Sequence, residues 1–178
     1  MTKASGLAQA VAATVSPVPD HPAPDDALTA ATSAQDVMTW YDAHARDLPW
    51  RRPGTTPWEV LVSEVMSQQT PVARVVPAWQ EWMRRWPGPA ELAQAPTAAV
   101  LRVWGRLGYP RRALRLIECA RSVVEQHGGV LPDDLDALLA LPGVGEYTAG
   151  AVLAFAHGRR ALVLDTNVRR VLARAVAG

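Results

Sequence analysis

Apolar residues recur at helical spacing along most of the chain, and Pro, Gly or short polar clusters separate the runs. The clearest run starts at Thr56-Pro57-Trp58, with proline at the first helical position. Its stripe of Trp58, Leu61, Val62, Val65 and Met66 carries on towards Gln69. Pro71 opens the next helix, which turns Val72, Val75, Val76, Trp79, Trp82 and Met83 inward until Trp86-Pro87-Gly88-Pro89 stops it. The same pattern predicts helices over 33–46, 89–95, 97–106, 110–127, 134–141, 146–157 and 165–177. Only Ala161-Leu162-Val163-Leu164 reads as a strand, and it is brief, so the expected class is all-α. Residues 1–35, rich in Ala, Pro, Asp, Ser and Thr without a period, read as a disordered tail ahead of a helical domain over 36–178.

Composition narrows the function. With 49% hydrophobic residues in 178, one domain has ample material for a core. No apolar run approaches membrane-span length, and the N-terminus lacks the pattern of a secretory signal, so cytoplasmic, nucleoid-associated location is expected. Cys119 is the single cysteine, which rules out an intrachain disulfide and a cysteine-built metal site; within its helical run it reads as a buried apolar residue. His21, His44, His127 and His157 show no ligand spacing, so no metal ligand is assigned. The tryptophans at 79, 82, 86 and 104 read as core. Net charge is +1, yet from Arg102 onward eleven arginines face seven acids, which suits a polyanionic partner.

Chemistry concentrates in a few segments. In Leu141-Pro142-Gly143-Val144-Gly145, two glycines flank one apolar residue between two helical runs, so the backbone can approach a ligand closely and take positive φ. The following helix starts with free amides and a positive dipole end, a natural grip for a phosphate. Small residues at Thr148, Ala149, Gly150 and Ala151 keep that helix slim, which suits approach to DNA better than core packing. Asp165 stands where a helix N-cap is expected, and capping leaves it free to stabilise positive charge developing on a sugar. Glu64 lies off the centre of its apolar stripe, as a solvated glutamate would, but with Asp165 it completes the two-carboxyl pair that glycoside cleavage uses. Trp104 to Arg112 combines Gly-bounded turns, the exposed-looking Tyr109 and the adjacent pair Arg111 and Arg112. It reads as a loop able to wedge into a base stack, or equally as a loop with solvated arginines.

Leu48-Pro49-Trp50-Arg51, Ser63-Glu64-Val65-Met66 with Gln68-Gln69-Thr70, Leu107-Gly108-Tyr109, the glycine hairpin, and Leu164-Asp165 with Asn167-Val168 follow one another in order. In these motifs the chain resembles the helix-hairpin-helix DNA glycosylases, specifically the A/G-specific adenine glycosylases of the MutY type, over about Val37 to Val176. The resemblance implies a multi-helix orthogonal bundle that flips adenine out of duplex DNA containing A:8-oxoguanine or A:G mispairs and removes it by hydrolysis, acting as a monomer. It implies Glu64 as the acid at adenine N7, Asp165 as stabiliser of the sugar cation, and Tyr147 and Asn167 as their supports. Arg46, Trp50 and Arg51 would line the adenine pocket. Gln69, Thr70, Leu107 and Tyr109 would probe the stack around the oxidised guanine, and Gly143, Val144 and Gly145 would hold the backbone. Endonuclease III-type relatives carry lysine at the position of Tyr147, and tyrosine cannot form their imine with the sugar. Ser67 stands where a larger apolar residue is usual in the family. The family's [4Fe-4S] cluster implies four cysteines, expected beyond residue 178, so this chain supplies no cofactor. The alternatives are a truncated DNA-binding fragment without activity and an endonuclease III-like glycosylase.

Overall fold

The computed structural model describes residues 34–177. All of the tail expected over 1–35 except Ala34 and Gln35, which begin the first helix, lies outside the described residues. The helices run α1 Ala34–His44, α2 Pro57–Ser67, α3 Val72–Arg85, α4 Pro89–Gln94, α5 Thr97–Trp104, α6 Arg111–His127, α7 Leu135–Ala140, α8 Glu146–Phe155 and α9 Thr166–Ala177. Single 3-10 turns occupy Pro49–Arg51 and Gly105–Leu107. The described residues contain no strand, so the fold is all-α as expected; Ala161–Leu164 is irregular.

Residues 47–163 form one compact unit, and the described residues 34–46 with 164–177 belong to another. Within the larger unit α2 is the central helix, packing against α3, α6 and α8. Thr56 caps it in a reciprocal box: its hydroxyl accepts from the Glu59 amide at 3.3 Å, and the Glu59 carboxylate accepts from the Thr56 amide at 2.6 Å. The box fixes where the helix starts. Seven of its eleven residues are buried, among them Trp58, Leu61, Val62 and Met66, each contributing roughly 1.5–3 kcal/mol by leaving water. This burial runs nearly all round the helix, broader than the single stripe expected.

The tryptophans assigned to the core are there. Trp82 meets Trp86 and Trp104 edge-on, with ring centroids 5.0 and 5.7 Å apart, and Trp79 meets Trp50 at 5.6 Å. Cys119 is buried among apolar neighbours of α6, and burial pushes its thiol up to about 12, so it is inert packing. In the smaller unit, Trp40 of α1 stacks on His44 at 4.8 Å, while Val37, Trp40 and Tyr41 are exposed.

Candidate active site

Glu64 sits on the third turn of α2, half-buried rather than solvated. Burial pushes its carboxyl above the usual carboxylate range, against the opposing effects of a hydrogen bond with Tyr147 and the Arg51 charge. Two further positions named from sequence thus converge on this acid. Tyr147 belongs to the first turn of α8, and Arg51 to the 3-10 turn after Leu48. A carboxyl whose pKa is raised by burial, beside a phenol and a guanidinium, is suited to act as a general acid.

The segment between α7 and α8 is a tight hairpin in which the Val144 amide donates to the Leu141 carbonyl at 3.2 Å. Its two glycines serve different ends. Gly143 has φ +80°, and a Cβ there would lie 2.9 Å from the Arg115 Cβ, so both conformation and close packing require glycine. Gly145 has φ −103°, open to any residue, with no atom within 4 Å of an added Cβ. Val144 is buried and anchors the hairpin, leaving Gly143 and Gly145 exposed. No side chain caps α8, so its first amides and dipole face outward from Gly145.

One expectation about this helix is overturned. Thr148, Ala149, Gly150 and Ala151 are all buried, and an added Gly150 Cβ would meet the Leu162 carbonyl oxygen at 2.5 Å. The small residues admit the chain's own returning backbone, not DNA.

Among the residues expected to probe a base stack, Gln69 and Tyr109 stand outward. Both have positive φ, 53° and 47°, and Tyr109 is 63% exposed. Thr70 and Leu107 are buried behind them, the Thr70 hydroxyl donating to the Leu107 carbonyl at 3.1 Å. They hold the probing segments from inside. Trp50 likewise lies in the core against Trp79, whereas Arg46, which belongs to the smaller unit, is exposed.

Also in the smaller unit, Asp165 caps α9. Its carboxylate accepts from the Val168 amide at 2.7 Å and from the Asn167 side-chain amide at 3.3 Å, which fixes both oxygens in direction. Asn167 therefore orients Asp165. Arg112, read from sequence only as one of two loop arginines, is a part of the larger unit's site that sequence reasoning missed: it bonds carbonyls more than forty residues away.

The family model described as HhH-GPD superfamily base excision DNA repair protein matches residues 62–177, from α2 through α9. The chain belongs to this superfamily. Among relatives of HhH-GPD type, the adenine DNA glycosylase of Mycobacterium tuberculosis is 55% identical over 160 residues, which cover 89% of this chain and 53% of that protein. This HhH-GPD chain thus spans about half the length of the mycobacterial relatives it matches. The solved structure of a thermostable thymine-DNA glycosylase aligns with a TM-score of 0.71 at 30% identity, covering 75% of this chain and 62% of that one. A trapped endonuclease III–DNA covalent intermediate aligns with a TM-score of 0.68 at 27% identity, covering 77% and 63%. A cluster or metal does not fit the residues present: Cys119 is alone and buried, and no group of three His, Cys, Asp or Glu among the described residues could hold an ion.

Proposed function

We propose that this chain carries the base-excising half of an adenine DNA glycosylase, acting as a monomer on adenine opposite 8-oxoguanine or guanine in cytoplasmic, nucleoid-associated DNA. The observation that carries the reading is Glu64, half-buried, its carboxyl pushed by burial above the usual carboxylate range and bonded to Tyr147 on the hairpin helix. Glu64 donates that proton to N7 of the extruded adenine. The bond from the base nitrogen to C1′ then breaks, its electron pair leaves with the now neutral base, and the sugar is left positively charged. Asp165, oriented by Asn167, stabilises that cation until water adds at C1′ and passes its proton to the carboxylate that Glu64 has become. The hairpin amides grip the backbone. No step of this chemistry runs through a metal or an iron–sulfur cluster.

Single-turnover assays on duplex containing A:8-oxoguanine test this reading. Adenine release without strand scission, and without a borohydride-trapped adduct, is expected. A trapped adduct with nicking would instead mark an endonuclease III-like enzyme, and binding without release a fragment that lacks activity.

Gly145→Ala gives a second check. The structure has room for the methyl, and alanine in place of glycine at the N-cap costs under about 1 kcal/mol. The methyl would stand between the α8 amides and a phosphate, so duplex affinity is expected to fall about tenfold with little change in melting temperature. Unchanged affinity by fluorescence anisotropy would remove the hairpin from the DNA interface.

A further inference from the structure

Arg112, on the first turn of α6, donates Nη1 to the carbonyls of Val65, Met66 and Gln68 at 2.8, 3.3 and 2.6 Å. These oxygens belong to the end of α2 and the turn that follows, where helical carbonyls lack partners within the helix and a cation is favoured. Its Nη2 donates to the Thr70 hydroxyl and to the Leu107 and Gly108 carbonyls at 3.2, 3.0 and 3.2 Å. The guanidinium also lies 5.2 Å from the Trp104 ring centroid and 5.5 Å from that of Tyr109. Among the described residues no carboxylate forms an ion pair with it, and burial lowers its pKa from the ordinary arginine value.

The two segments joined in this way are those that carry the described non-glycine residues with positive φ, Gln69 and Tyr109. Each such conformation costs about 1–3 kcal/mol and persists only where its surroundings over-determine it. Both residues are exposed while Thr70 and Leu107 beside them are buried, so the strained pair is what the surface offers. We infer that Arg112 is a positioning residue which clamps Gln69 and Tyr109 side by side as a rigid two-residue probe inserted into the base stack of the DNA. This deepens the glycosylase reading and rests on it. Lysine keeps the charge, but its single nitrogen cannot replace a planar fork that reaches both segments at once.

The test compares Arg112→Lys with the parent on two duplexes, one undamaged and one containing A:8-oxoguanine, with 2-aminopurine beside the mispair as a reporter of unstacking. Affinity for undamaged duplex is expected to stay within twofold, while the unstacking signal is lost and adenine release slows at least tenfold. Thr70→Val, nearly isosteric and lacking one link of the clamp, is expected to change release in the same direction by a few fold. It should add nothing when combined with Arg112→Lys, and it decides the matter if Arg112→Lys fails to fold. Unstacking and release at parental rates in Arg112→Lys, or in Thr70→Val where that variant decides, would overturn the inference. So would an equal loss of affinity for both duplexes in Arg112→Lys, which marks a plain phosphate contact. A parent protein that neither unstacks nor releases adenine refutes the underlying reading, separately from the clamp.

Discussion

Glu64→Gln is expected to abolish adenine release, slowing single-turnover excision in the whole protein by about 10³-fold, within the range general acid catalysis supplies. The amide keeps the shape of the carboxyl and can still meet Tyr147, but it has no proton to give. The pH profile sharpens the expectation. Because burial raises the Glu64 pKa, the acid form persists above the usual carboxylate range, and release should decline as pH rises through that raised value. Stability follows the same group. A carboxyl whose pKa is raised on folding stabilises most below its unfolded pKa, and that contribution is lost as pH rises through the folded value. At neutral pH the charged form is therefore a cost that glutamine removes. Glu64→Gln should melt no lower than the parent at neutral pH, with the difference shrinking in acid. Excision at the parental rate would remove Glu64 from the chemistry; a lower melting temperature at neutral pH would show that its charge is compensated rather than strained.

Local pattern made the helices legible because each carries its own start and stop signals, such as Thr56-Pro57 before α2 and Trp86-Pro87-Gly88 after α3. Their ends fell within a few residues. The environment of Glu64 was less legible, since a stripe argument assumes one wet face, whereas α2 is covered by α3, α6 and α8 together. Burial of that kind depends on what the neighbours do. Arg112 was hidden for a related reason: its partners lie at the far end of α2 and in the Gly105–Tyr109 loop, and no spacing rule connects position 112 with position 65. The positive φ at Gln69 and Tyr109 had no sequence signal either, because glycine is the residue that ordinarily marks such a conformation. Asp165 was legible as a cap, and the structure shows the cap. Gly150 was noticed for the right property and given the wrong neighbour.

That neighbour makes Gly150 the position where a single methyl should matter most to stability. In an ordinary helix interior, replacing glycine with alanine stabilises by about 1 kcal/mol. Here the added Cβ would lie 2.5 Å from the Leu162 carbonyl oxygen, 3.3 Å from its carbon and 3.7 Å from Val163 Cγ2. The first distance is far inside van der Waals contact, and the atom struck is backbone, which cannot rotate away as a side chain can. Overfilling a packed site costs roughly 1–3 kcal/mol and more when the backbone must move, so the clash outweighs the helical gain. Gly150→Ala is expected to lose about 2 kcal/mol in urea denaturation, a fall of several degrees in melting temperature, and Gly150→Val to lose more. The strain falls on the segment that follows α8, so hydrogen exchange should quicken first over 158–163. The sign decides between the two readings of the slim helix. If Gly150→Ala stabilises by the helical increment alone, the close approach of Leu162 is not present in solution and the small residues of α8 are free to meet another partner.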